Sequence, residues 1–207
     1  LKDEFGSSKG KGAAVLTEKS SSPTRLRLKK AFLAAYPDAV WAEYDAISTS
    51  NAAKAASIVA GKNLEPRYDF SKASRILSVD GDFLGEAQGS IAFSKQFTDG
   101  RRVRSNKEEM NRLYVVESNY SVTGCMADHR KRLASSQSVP FLAAVALQVL
   151  DHGVEAEKLN PVLTKLSQSI DADTKKWVEE CAKDLVENKG KSLVYVGDQL
   201  SAEAHAP

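Results

Sequence analysis

Five short apolar runs punctuate this chain: GAAVLT at 12–17, VWAEY at 40–44, RILSV at 75–79, LYVVE at 113–117 and SLVYVG at 192–197. Most are separated by longer stretches whose apolar residues recur at helical spacing. Strands joined this way are not hairpin partners. A crossover helix returns each new strand parallel to the last and covers a sheet face on the way. The pattern predicts an α/β fold with an open, mostly parallel, doubly wound sheet of the Rossmann-like kind and helices on both faces.

The helix signals agree. Ser22 reads as an N-cap with Pro23 at the first helical position, and Pro37 stands where the helix should stop. Between them Leu28, Phe32 and Ala35 form an inward stripe. Further helices are expected near 49–60 (capped by Ser48 or Thr49 and ended by Gly61), 86–98, 138–150, 160–169 and 173–188. Residues 1–11, rich in Gly, Ser and Lys, read as a flexible N-terminal linker, and residues 12–207 as a single α/β domain. The chain starts at Leu1 rather than Met and stops just after a strand and turn, so it reads as an excised middle domain of a larger subunit.

Composition narrows the function classes. Apolar residues are 42% and charged residues 27%, which argues against disorder throughout, and a net charge of +2 gives no footprint for nucleic acid. The basic clusters at 25–30 and 101–104 read as solvated helix and loop faces. Cys125 and Cys181 are the two cysteines, with no CxxC and no metal-ligand spacing, so no zinc or iron–sulfur site is expected within this chain. No apolar run approaches the ~20 residues of a membrane span.

In open α/β sheets ligands collect at the carboxyl ends of the strands, so the residues just beyond each strand are the candidates for chemistry. The first strand leads into Thr17-Glu18 and serines 20–22, the third into Asp80-Gly81-Asp82-Phe83-Leu84-Gly85, the fourth into Glu117-Ser118-Asn119 and the fifth into Gly197-Asp198-Gln199. Glu117 offers two acceptor oxygens, suited to both hydroxyls of a ribose or to capping a nearby backbone amide. Gly81 and Gly85 would let the backbone approach a phosphate, although DGDxxG has neither the P-loop Lys nor the full GxGxxG spacing. Thr123 either caps a short turn or donates to a phosphate. Asp128 and His129 adjoin Arg130, Lys131 and Arg132 in what reads as a charged corner, Cys125 as a small half-buried thiol, and His152 and His205 stand without companions at ligand spacing.

The runs YDFSKASRILSVDGDFLG and NRLYVVESNYSVTGCMADHRKRL, at 68–85 and 111–133, resemble the middle region of molybdopterin oxidoreductases of the dimethyl sulfoxide reductase superfamily. There a strand and turn of the ADVIL…GSNP kind is followed by a helix and then a strand of the VVDPRxTxTAxxAD kind. The likeness is strongest to the large molybdopterin-like iron–sulfur subunits of alternative complex III, a quinol-oxidising respiratory membrane complex. By resemblance, Asp80, Gly81 and Asp82 fall at the turn that approaches the cofactor. Glu117, followed by Ser118 and Asn119, falls at the strand-end acid that contacts a nucleotide, and Thr123 and Asp128 match the T…AD positions. These eight residues are the cofactor-binding positions the resemblance implies, whether in use or vestigial.

Glu-Ser replaces the family's Asp-Pro, Asn119 replaces its Arg, and the turn carries two extra carboxylates, which would repel an anionic cofactor. The resemblance thus implies a scaffold domain that is not itself catalytic. It has no metal ligand and no cofactor in the isolated fragment. The alternative the resemblance implies is the nucleotide-binding domain of an active bis-molybdopterin guanine dinucleotide oxidoreductase, whose parent protein would hold molybdopterin guanine dinucleotide. The implied partners are the remaining domains of the parent chain and the other subunits of a respiratory complex, on the periplasmic side of a bacterial inner membrane.

Overall fold

The computed structural model describes residues 2–46, 50–62, 64–106, 109–150 and 156–205. The chain divides into two units, Leu1–Ser48 and Thr49–Pro207. In the first unit, α1 (Lys2–Phe5) and a hydrogen-bonded turn, with Gly10 donating to the Phe5 carbonyl at 2.9 Å, precede β1 (Ala14–Thr17). Next come α2 (Pro23–Ala35), with Pro23 opening the helix as its fixed φ favours, and β2 (Val40–Glu43). β1 and β2 pair in parallel as a two-stranded sheet, with Ala14 opposite Val40 and Leu16 opposite Ala42. Phe32 of α2 packs its ring 5.7 Å from that of Trp41, and Lys29 pairs with Glu43 at 2.7 Å.

The second unit contains α3 (Ser50–Ala60), β3 (Arg75–Val79), α4 (Ser90–Asp99), β4 (Arg112–Glu117), α5 (Val122–Cys125) and β5 (His129–Arg132). It continues with α6 (Ser138–Leu150), α7 (Ala156–Ser167), α8 (Ala172–Glu187) and β6 (Ser192–Val196). Single 3-10 turns sit at Phe70–Lys72, Ser135–Gln137 and Ala202–His205. The sheet order is β5-β4-β3-β6, and every pairing is parallel. The α/β architecture with parallel sheets flanked by helices is the one expected from the strand–helix alternation. The proposed cap of α3 at Ser48 or Thr49, and His152, lie outside the described residues.

Strand alternation divides the core between the two sheet faces. Leu77, Val79, Tyr114, Val116 and Val196 meet Phe141, Leu142 and Val145 of α6 and Val178, Cys181 and Leu185 of α8. On the other face Ile76, Leu113, Val115 and Tyr195 meet Phe70, Phe83 and Phe97, the Phe70 and Phe83 rings stacking at 4.3 Å. Burying the central strands on both faces explains why RILSV and LYVVE read as nearly continuous apolar runs.

β5 differs from the sequence expectation. HRKR reads as a charged corner, yet it forms the fourth strand of this sheet, with Tyr114 opposite His129 and Glu117 opposite Arg132. An edge strand can be built from charge, which discourages further pairing on its open side. Each of its first three side chains also finds a local partner: His129 stacks on Tyr114 at 4.7 Å, Arg130 pairs with Glu117, and Lys131 pairs with Asp173.

Candidate functional site

Because all four strands of the larger sheet run the same way, β3, β4, β5 and β6 end on one rim. Asp80 leaves β3 with φ +49°, in the left-handed region that Asp tolerates better than most residues. Its amide donates to the Val116 carbonyl at 2.7 Å, anchoring it across the β3–β4 pair. Its Oδ1 accepts from the Ser118 amide at 2.9 Å and the Ser118 hydroxyl at 3.1 Å. Its Oδ2 accepts from Ser135 at 2.6 Å and Ser138 at 3.3 Å. The Asp80 carbonyl accepts from Gln199 Nε2 beyond β6.

Asp82 accepts at Oδ1 from the Thr123 amide at 2.9 Å and the Thr123 hydroxyl at 2.7 Å, while Thr123 Oγ1 accepts from the Leu84 amide at 3.0 Å. Glu117 is 4% exposed and holds Arg130 Nε at 2.6 Å and the Ser121 hydroxyl at 2.5 Å. Ser121 in turn caps the one-turn helix α5 by accepting from the Gly124 amide at 2.9 Å.

Of the eight residues singled out in the sequence, Asp80, Gly81, Asp82, Glu117, Ser118 and Thr123 therefore meet at this rim. Asn119 lies in the same loop and is exposed. Asp128 is placed elsewhere, where β4 and β5 begin: it accepts from the Leu113 amide at 2.7 Å and pairs with Arg101 at 2.8 Å. Sequence reasoning read Arg130 only as part of a charged corner and did not single out Ser121, Ser135 or Ser138. Arg130, Ser135 and Ser138 hang on recognising β5, because that strand carries Arg130 to Glu117 and delivers the two serines to Asp80. Ser121 could have been found as the N-cap of a short turn.

The rim glycines have their open side filled by this chain. A Cβ on Gly81 would lie 2.7 Å from the Tyr195 ring, and one on Gly85 or Gly124 would overlap the carboxylate of Asp82 or Glu117. A Cβ on Gly197 would overlap the Asp80 carbonyl oxygen, so the turns after β3 and β6 pack backbone to backbone. The carboxylates of Asp80, Asp82 and Glu117 thus line the rim, the Arg130 guanidinium is engaged by Glu117 while Arg132 at the end of β5 is exposed, and both oxygens of Asp80 and of Glu117 already accept hydrogen bonds. As placed, these residues do not fit an anionic dinucleotide.

Beyond β6, burial pushes the Asp198 carboxyl up, opposed by His205, and burial holds His205 down, opposed by Asp198 and the backbone at Gly197 and Leu200. Burial likewise raises Tyr195, helped by Asp198, Tyr68 and Asp82. Asn51 ties the start of α3 to this segment by donating to the Leu200 carbonyl at 2.8 Å.

Two concavities lie away from the rim, toward the ends where β4 and β5 begin. One of about 590 Å³ is lined by Arg112, Tyr114, His129, Trp177 and the charged face of α8. The other, of about 410 Å³, lies among Arg75, Glu109, Met110, Asn111, Arg112 and Asp128. The described residues contain no cluster of His, Cys, Asp or Glu able to hold a metal ion, and no helix among them is long and apolar enough to cross a membrane.

No family model matches the chain, and no curated protein matches it in sequence. Among solved structures it is similar to acetylene hydratase from Pelobacter acetylenicus, with a TM-score of 0.57 and 12% sequence identity over 93% of this chain. The match occupies 28% of that chain, and at this identity the likeness is one of fold.

Proposed function

We propose that this chain is a domain of a molybdopterin-oxidoreductase-like subunit and acts there as a scaffold without a molybdenum site of its own. The observation that carries this reading is the fold likeness, which takes in 93% of the chain, to part of a molybdopterin enzyme of the dimethyl sulfoxide reductase family. The residue patterns at 68–85 and 111–133 point the same way. The finer placement, in a quinol-oxidising respiratory complex of the alternative complex III type at the periplasmic side of a bacterial inner membrane, rests on those patterns alone. Its partners would be the other domains of the parent chain and the neighbouring subunits. Metal and pterin analysis of the purified parent protein tests the scaffold role. Sub-stoichiometric molybdenum and pterin are expected, and one molybdenum with two pterins per chain would overturn it.

A second reading is a nucleotide-binding half-site within an active bis-molybdopterin guanine dinucleotide oxidoreductase. It is favoured by the convergence of Asp80, Gly81, Asp82, Glu117, Ser118 and Thr123 on the carboxyl rim, where such sheets bind ligands. The protein's part would be binding and orientation, while the cofactor supplies the redox chemistry. On this reading a guanine nucleotide raises the melting temperature and Glu117→Ala diminishes the shift; no shift at millimolar nucleotide would count against it.

A further inference from the structure

The rim of the four-stranded sheet is the inverse of a ligand site. Its acids turn inward onto hydroxyls and amides, whereas Tyr120, Val122 and Met126 of the intervening segment stand outward, 70%, 54% and 45% exposed.

We infer that Asp80, Asp82 and Glu117 form an intramolecular clamp that closes the rim, with both oxygens of Asp80 and Glu117 and one of Asp82 accepting the hydrogen bonds that the hydroxyls of a sugar or other polyhydroxyl ligand would offer. Asp80 is its keystone. Through one residue, 9% exposed, the end of β3 is tied to Ser118 after β4, to Ser135 and Ser138 after β5, and to Gln199 after β6. Asp82 adds Thr123 of α5, and Glu117 adds Ser121 and Arg130. Hydrogen bonds to ionised acceptors are stronger than neutral ones, and burial strengthens them further. The loops after β4 and β5, which in an open site would order on a ligand, are ordered here by the chain's own carboxylates. A phosphate entering the rim would meet those charges and displace satisfied bonds.

The clamp deepens the scaffold reading but rests on it only for the choice of guanosine diphosphate as probe. Molybdenum content tests that reading, and hydrogen exchange tests this one. Exchange is followed by mass spectrometry on the 207-residue chain and on Asp80→Asn, each with and without millimolar guanosine diphosphate. In Asp80→Asn, exchange should quicken at least about tenfold in 118–123 and 134–138, the equilibrium worth of one hydrogen bond to a charged group, and stay unchanged in β3 and β4. The nucleotide should protect no rim peptide of the unaltered chain. Unchanged exchange in those loops, or protection of 80–85, 117–124 or 134–138 by the nucleotide, would overturn the clamp. Should Asp80→Asn not fold, Ser135→Ala/Ser138→Ala keeps the acid and removes two donors. It should loosen 134–138 alone, and unchanged exchange there would overturn the clamp equally.

Discussion

Gly124 shows how closely single positions are specified. Its missing side chain makes room for the Glu117 carboxylate, so a Cβ there overlaps the acid and pushes it off Arg130 and Ser121. Gly124→Ala should therefore cost about 1–3 kcal/mol, the usual penalty for overpacking a buried site, read from the urea midpoint. The cysteines make a contrast set by burial. Cys125 is exposed, whereas Cys181 is buried on the core-facing side of α8, and burial, helped by Asp184, pushes its thiol up to about 12. Thiolate is the reactive form, so an aromatic disulfide reagent at mildly alkaline pH should titrate one thiol in the native protein and two in denaturant. Two native equivalents would show that α8 opens readily.

At the scale of elements, Asp184 joins α8 to the starts of β3 and β4. It accepts from Arg75 Nε at 2.8 Å, Arg112 Nη1 at 2.9 Å and the Tyr114 hydroxyl at 2.8 Å, and its side chain is 13% exposed. Burial works to raise its carboxyl pKa, but the hydrogen bonds and charge of Arg75, Tyr114 and Arg112 outweigh it and hold the carboxyl below its ordinary 3.8. Tyr114 itself is pushed up to about 12, by burial and then by Asp184, so it donates throughout the neutral range. A depressed carboxyl stabilises the fold above its unfolded pKa, and that contribution is lost as pH falls through the lower folded value. Asp184→Asn should thus destabilise by roughly 2–3 kcal/mol at neutral pH and flatten the acid limb below about pH 4. Urea melts across pH test this, and an unchanged limb would refute it. β5 illustrates the opposite case of an element hidden from pattern reading. Its stability comes from pairing with β4 and from partners such as Glu117 and Asp173, which no local periodicity records.

At the scale of the whole molecule, the two units differ in what holds them. In Leu1–Ser48, Ala13 is the one buried apolar side chain among the described residues, and Ala14, Leu16, Val40 and Ala42 are exposed on one face of its two-stranded sheet. In Thr49–Pro207 a four-stranded sheet is covered on both faces. A two-stranded sheet is marginal alone, so amides in 14–17 and 40–43 should exchange at denaturant well below the midpoint that releases 75–79 and 112–117. Simultaneous release would show that the first unit draws its stability from beyond its own contacts. The sequence by itself determined the α/β class, the strands read at 12–17, 40–44, 75–79, 113–117 and 192–197, which form at 14–17, 40–43, 75–79, 112–117 and 192–196, most of the helices, and the acids that end β3 and β4. These depend on local periodicity, caps and breakers, which neighbouring residues encode. Only the tertiary structure decided that β1 and β2 form a sheet of their own, that HRKR is a strand, that Asp128 lies far from the other seven residues, and that the rim acids face inward. Each of those outcomes depends on pairing and hydrogen bonds between residues distant in the chain. Asp80 and Ser138 lie 58 positions apart, and a carboxylate has the same sequence signature whether it faces a ligand or a serine.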